Sequence, residues 1–116
     1  MPGADPLARG DIVTVAGGAS EFGSKPRPAI ILQATLLGTA VPIPICPITS
    51  TVRPDTGLLR IALPVDANTG LALPSWAAID LVQTVRQRRI GERIGHAGEA
   101  AMLAIDRSLM VFLGLA

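Results

Sequence analysis

The chain has 116 residues, enough for one domain, and 49% of them are apolar, with a mean hydropathy of +0.49. Its formal charge is +1, which excludes nucleic-acid recognition by bulk basicity and leaves that task to a local concentration of charge. Nine of the ten basic residues are arginine, a side chain that grips phosphate bidentately and stays protonated.

Residues 1–8 read as a loose leader to a single domain over 1–116, and Met1–Leu7 lacks the apolar core of a signal peptide. Ile12-Val13-Thr14-Val15, within Asp11–Ala16, predicts a first strand that stops at Gly17-Gly18. Gly17–Pro26 is small and turn-forming, a loop of the kind that carries function between two strands. Pro28–Thr35 predicts a second strand, and Gly38-Thr39 the turn into a third, Val41–Thr49. Pro42 and Pro44 lie two apart and cannot donate ladder hydrogen bonds, so this third strand is expected at an edge or at a bulge.

Pro54–Gly57 reads as a turn, Leu59–Val65 as a fourth strand, and Asp66–Gly70 as another turn. Ser75–Leu81 supplies a fifth strand, which Val82–Val85 either continues or follows as a short turn. Arg86–Gly91 is an arginine-rich connection. Glu99–Leu113 predicts a helix, with Met102, Ile105, Leu109, Phe112 and Leu113 on one face and Gly98 and Gly114 at its ends. The expected fold is mainly β with a C-terminal helix, a small curved barrel-like sheet.

Pro28–Val52 carries no charge and is long enough to cross a bilayer. Pro42, Pro44 and Pro47 would break a helix there, so a two-strand reading replaces a membrane span. Cys46 is the lone cysteine, inside an apolar run. It forms no intrachain disulfide, suits a reducing cytoplasm and reads as a packing residue. The apolar content is high for so short a chain, which points to a homodimer that buries part of it.

Two places offer chemistry. Arg27 stands between Pro26 and Pro28, which stiffen the backbone and set a guanidinium at a strand start as a phosphate clamp. It reads equally as a surface arginine pairing with Asp11 or Glu21. Thr49, Ser50 and Thr51 end the third strand with three hydroxyls, able to donate to phosphate or base edges, or simply to close a Ser/Thr turn. His96, the sole histidine, precedes the helix. No Cys/His metal spacing, Gly-Lys-Ser loop or dinucleotide fingerprint is present, so no metal or cofactor is implied.

Arg9-Gly10-Asp11-Ile12-Val13, Arg27-Pro28-Ala29-Ile30-Ile31 and Pro47-Ile48-Thr49-Ser50, in this order, resemble the MazF/PemK family of toxin endoribonucleases. The likeness continues through Gln83-Thr84-Val85, Arg89-Ile90 and Ile105-Asp106-Arg107 to Leu113-Gly114-Leu115. It implies the small curved barrel shared by the CcdB and PemK toxins. It also implies sequence-specific, metal-independent cleavage of single-stranded RNA by 2′-hydroxyl attack, homodimerisation, and neutralisation by a separate antitoxin protein. Under it Arg27 and Thr49 are catalytic, and Lys25, Ser50, Thr51 and Asp80 contact substrate. Phe22 in the loop is the aromatic expected to touch RNA, whereas Trp76 fits a core or a dimer interface.

One branch of the family uses a histidine in the loop before the Arg-Pro motif and an arginine two residues before the carboxylate. Here the loop has no histidine and Ala78 fills the arginine's place, which favours the Arg/Thr version of the site. Two alternatives stay open at this stage: a non-enzymatic, CcdB-type gyrase-binding toxin, and a catalytically silent binding module of the same fold.

Overall fold

The computed structural model describes residues 6–17, 25–34, 42–51 and 54–116. Among these, seven strands and one helix follow in chain order: β1 (Asp11–Val15), β2 (Arg27–Ile31), β3 (Ile43–Thr49), β4 (Arg60–Leu63), β5 (Ser75–Ala78), β6 (Gln83–Val85), β7 (Ile90–His96) and α1 (Glu99–Phe112). Single 3₁₀ turns cover Pro54–Leu59, Ile79–Leu81 and Gln87–Arg89. The strands form an antiparallel sheet of order β4-β5-β3-β2-β1-β7, with β6 also pairing with β3. The leader's residues 1–5, the loop's residues 18–24 with Phe22, and the Gly38-Thr39 turn lie outside the described residues.

β3 is the central strand and not the edge that its prolines suggested. It pairs along one side with β2, and along the other with β6 at Ile43–Ile45 and β5 at Ile48–Thr49. The missing N–H groups of Pro44 and Pro47 are accommodated in two ways. Leu32 donates to the Pro44 carbonyl at 3.0 Å, and Pro44 has no N–H to return. The Leu32 carbonyl accepts instead from Arg9 Nε at 3.1 Å. Pro47 sits in the gap between the stretches claimed by β6 and β5. Prolines can thus occupy a central strand when its neighbours change along its length.

Side chains alternate across the sheet, and both faces are buried. On one face Ile12, Ile30, Cys46, Ile48 and Ile79 pack against Met102 and Ile105 of α1. On the other, Val13, Val15, Ala29, Ile31, Ile43 and Ile45 are closed over by Val85 of β6. This second layer forms because the Ile79–Leu81 turn breaks the predicted fifth strand. The chain leaves β5 there and returns as β6 against the other half of β3.

The last strand, β7, is absent from the sequence reading. Ile-Gly-Glu-Arg-Ile-Gly-His has two apolar residues and no β-rich run, yet it pairs with β1 through two register shifts. Its Gly95 is required by crowding, since a Cβ there would strike the backbone carbonyls of Asn68 and Thr69 in the turn lying over it. Gly114, at φ +74°, ends α1 in a Schellman motif, with Leu115 donating to Met110 at 2.7 Å and Gly114 to Val111 at 3.1 Å. Phe112 and Leu113, expected on the buried face of the helix, are exposed along with Val111 and Leu115.

Arg9-Gly10-Asp11 is a clasp. The Arg9 guanidinium meets Asp106 of α1 at 2.5 Å, and Asp11 Oδ2 accepts from Ala8 N at 2.8 Å and Arg93 Nε at 3.0 Å. Gly10 N donates to Ile31, and its carbonyl accepts from Ala97. Three residues thereby join the end of β2, β7 and the helix.

Two measurements follow from this core. Ile30 is fully buried, so Ile30→Ala should lower unfolding free energy by about 2–5 kcal/mol in urea titration. Burial pushes the Cys46 thiol up from an ordinary 9.0 to about 12. The neutral thiol's contribution to stability is therefore complete below pH 9.0 and is lost as pH rises toward 12. Cys46 should resist iodoacetamide at pH 8 in the folded protein and react once urea unfolds it.

Candidate active site

Arg27 is the first residue of β2, and the described register sets it opposite Val15 of β1. β2 and β3 pair as Ala29↔Pro47, and two further steps of that register bring Arg27 opposite Thr49. Opposed residues of an antiparallel pair share a face, and both side chains line one cavity. The flanking prolines explain the position. Pro28 fixes its own φ and restricts Arg27 to extended backbone, which starts the strand with the arginine already oriented.

Arg27 lies on the wall shared by two cavities. One, of about 410 Å³, is lined by Arg27, Thr49, Ser50, Thr51, Leu73 and Leu81. The other, of about 210 Å³, lies between the β1 end and β6, against Ala16, Pro47, Gln83 and Arg89. Arg27 is exposed and has no hydrogen-bond or ion-pair partner among the described residues. The alternative pairing with Asp11 is ruled out, because Asp11 is buried and bound to Arg93; Glu21 lies outside the described residues. Lys25 is exposed two residues before Arg27.

Thr49 both lines the cavity and closes a turn. Its Oγ1 accepts from Thr51 N at 3.1 Å and lies 3.2 Å from the Thr51 carbonyl, to which its hydroxyl can donate. The turn fixes the oxygen next to Arg27, while rotation of the O–H would free it for another acceptor at the expense of one hydrogen bond. Ser50 and Thr51 are exposed on the same wall.

Asp80 is set apart from this group. Its carboxylate pairs with the guanidinium of Arg60, whose side chain is 7% exposed, and it does not line either cavity beside Arg27. The carboxylate expected at the substrate is thus held in an ion pair with Arg60. Arg60 lies directly opposite Ala78, so an arginine reaches this carboxylate from the neighbouring strand and not from two residues upstream. The sequence offered no signal for this pairing, which joins residues 20 positions apart.

His96 serves structure as well. Its Nδ1 accepts from Gly98 N at 2.9 Å, which leaves the proton on Nε2, 3.3 Å from the Arg9 carbonyl. Arg89 holds the loop stem: its Nε and terminal nitrogen donate to Ala16 at 3.1 and 2.8 Å, and Ala16 N donates to the Arg89 carbonyl. Arg86 and Arg88 are exposed, and Arg93 is bound to Asp11.

An antiparallel sheet backed by one helix thus carries an arginine and a threonine at adjacent strand ends, on the wall of one open cavity. The model of the PemK-like, MazF-like toxin of type II toxin–antitoxin systems matches residues 8–113, and the chain belongs to that family. It is 38% identical over 110 residues to a "Probable endoribonuclease MazF" of Mycolicibacterium smegmatis, covering 95% of this chain and 99% of that protein. Its fold resembles the crystal structure of MazF from Deinococcus radiodurans, with a TM-score of 0.75, 19% identity, and coverage of 95% of this chain and 98% of that one. It also resembles Mycobacterium tuberculosis toxin MazF-mt6, with a TM-score of 0.72, 24% identity, and coverage of 90% and 98%. A MazE–MazF crystal structure from D. radiodurans matches with a TM-score of 0.78 at 19% identity, covering 97% of this chain and all of the matched one.

The Arg60–Asp80 pair yields a prediction that separates structure from chemistry. Asp80→Asn leaves a buried guanidinium without its countercharge and should cost about 3 kcal/mol of stability in urea titration. RNA cleavage per folded molecule should stay within about threefold of wild type, as expected for a group off the reaction path.

Proposed function

We propose that this chain is an endoribonuclease toxin that cuts single-stranded RNA at a short recognition sequence, with Arg27 and Thr49 acting on the scissile phosphate. The observation that carries this reading is their juxtaposition: a guanidinium without a partner among the described residues and a hydroxyl, at the ends of adjacent strands, on the wall of one open cavity. The family match and the 38% identical relative named as an endoribonuclease support it.

The reaction follows from what these groups can do. The ribose 2′-oxygen attacks the adjacent phosphorus as its proton departs. The bond to the 5′-oxygen breaks, and that oxygen takes up a proton. Negative charge grows on the non-bridging oxygens, where Arg27 can donate two parallel hydrogen bonds from a fixed position. The Thr49 hydroxyl, turned off the Thr51 carbonyl, adds another donor. Neither group requires a metal for these tasks. Ser50, Thr51 and Lys25 lie where they can hold the flanking nucleotides.

The protein acts as a homodimer in the cytoplasm, and a separate antitoxin protein covers the RNA site. No described helix is long and apolar enough to cross a membrane. Exposed Leu58, Val111 and Leu115 give the chain an apolar surface beside α1 that a second copy can cover. The solved MazE–MazF complexes of the same fold support an antitoxin partner.

Incubation of the pure protein with a defined RNA in EDTA should give a 2′,3′-cyclic or 3′-phosphate and a 5′-hydroxyl. An absolute need for Mg²⁺ with 5′-phosphate products would refute the mechanism. Arg27→Ala should slow cleavage by about a hundredfold or more with folding intact, because an exposed anion stabiliser is lost. Thr49→Ala should slow it less. Near-normal rates in Arg27→Ala would place the chemistry elsewhere. Sedimentation equilibrium across a dilution series should show a dimer, and a fully active monomer would remove the homodimer from the reading.

A further inference from the structure

Trp76 is the chain's one tryptophan, and it belongs to neither buried cluster. The strand registers explain where it stands. Thr49 pairs directly with Trp76 of β5, and Trp76 with Ala62 of β4. With Val15 opposite Arg27 and Arg27 opposite Thr49, one row runs Val15, Arg27, Thr49, Trp76, Ala62 across five strands. All five lie on one face, because the next row over (Ile48, Ala77 and Ile61) packs toward α1.

The indole is half-buried, and its neighbours on that face are small: Thr49 and Ala62 across the strands, Pro74 and Ala78 along its own. Two strand spacings put the Trp76 backbone roughly 10 Å from that of Arg27, within reach of one nucleotide step from a phosphate at Arg27. Among the described aromatics, Phe112 lies near the far end of α1, so Trp76 is the ring beside the Arg27–Thr49 pair. We propose that Trp76 stacks on the base of a nucleotide flanking the scissile phosphate, fixing that phosphate against Arg27 and contributing to the choice of cut site. This rests on the endoribonuclease reading of the Arg27–Thr49 pair.

Stacking on an aromatic side chain strengthens single-strand binding and tolerates any ring of similar size. Trp76→Leu should therefore raise KM by about 5- to 100-fold with kcat changed much less, and should alter which bases are accepted next to the cut. Trp76→Phe should recover most of the loss, which a residue that merely fills space beside Ala62 would not require. As the sole tryptophan, Trp76 also reports directly. A 2′-O-methyl RNA nonamer centred on the mapped cut, or a random nonamer pool if no cut is found, should quench its fluorescence at constant protein concentration.

Unchanged KM and cut sites in Trp76→Leu would overturn the proposal. So would fluorescence that follows protein dilution but ignores the oligonucleotide, which would assign Trp76 to a contact between copies of the chain. Absence of cleavage by the wild type, with quenching intact, would defeat the endoribonuclease reading and leave the stacking contact standing. Absence of both would overturn the two together.

Discussion

Everything near the site depends on β3 pairing with three neighbours at once. A strand that meets β2 along one side and then β6 and β5 in succession along the other cannot slip without breaking three sets of hydrogen bonds. That constraint fixes the register that sets Thr49 beside Arg27. It also explains why this strand is buried on both faces: Ile43, Ile45, Cys46 and Ile48 contribute to both apolar layers. Arg27 is exposed and Thr49 half-buried, at the ends of strands that are otherwise largely buried.

The site is a division of labour among arginines. Arg9, Arg60, Arg89 and Arg93 are held by carbonyls or carboxylates and tie elements together. Arg27 lies between two prolines, at a place where no described acid reaches it. In a chain of net charge +1, four guanidinium groups are engaged in tying elements together, while Arg27 lines an open cavity. The same logic explains how so weakly basic a protein can present a focused positive site.

The segments legible in the sequence are those whose local pattern and tertiary role agree. Ile12–Val15, Arg27–Ile31 and the helix beginning at Glu99 carry the expected periodicity and boundary residues, and the structure has them with small shifts at their ends. β7 was illegible because its Gly95 answers to the crowding of the Asn68–Thr69 turn, a segment outside the strand, and its register shifts erase alternation. The prolines of β3 misled because edge position is only one way for a missing N–H to be harmless; a change of neighbour is another. Arg27 and Thr49 were readable from motif order. Asp80 was not, since its partner lies on another strand and no local pattern announces a cross-strand ion pair.

The bracing of the stem between β1 and β2 has a consequence for how such a protein can change. Ala16 is pinned by Arg89 on one side, and Arg27 by its pairing with Val15 on the other. Ala16 and Arg27 are thus two fixed points, each held by elements outside the stretch of sequence between them. Insertions or replacements between those points leave the arginine in its register. Such a scaffold can acquire new target preferences by exchanging a short cassette while its chemistry is inherited intact.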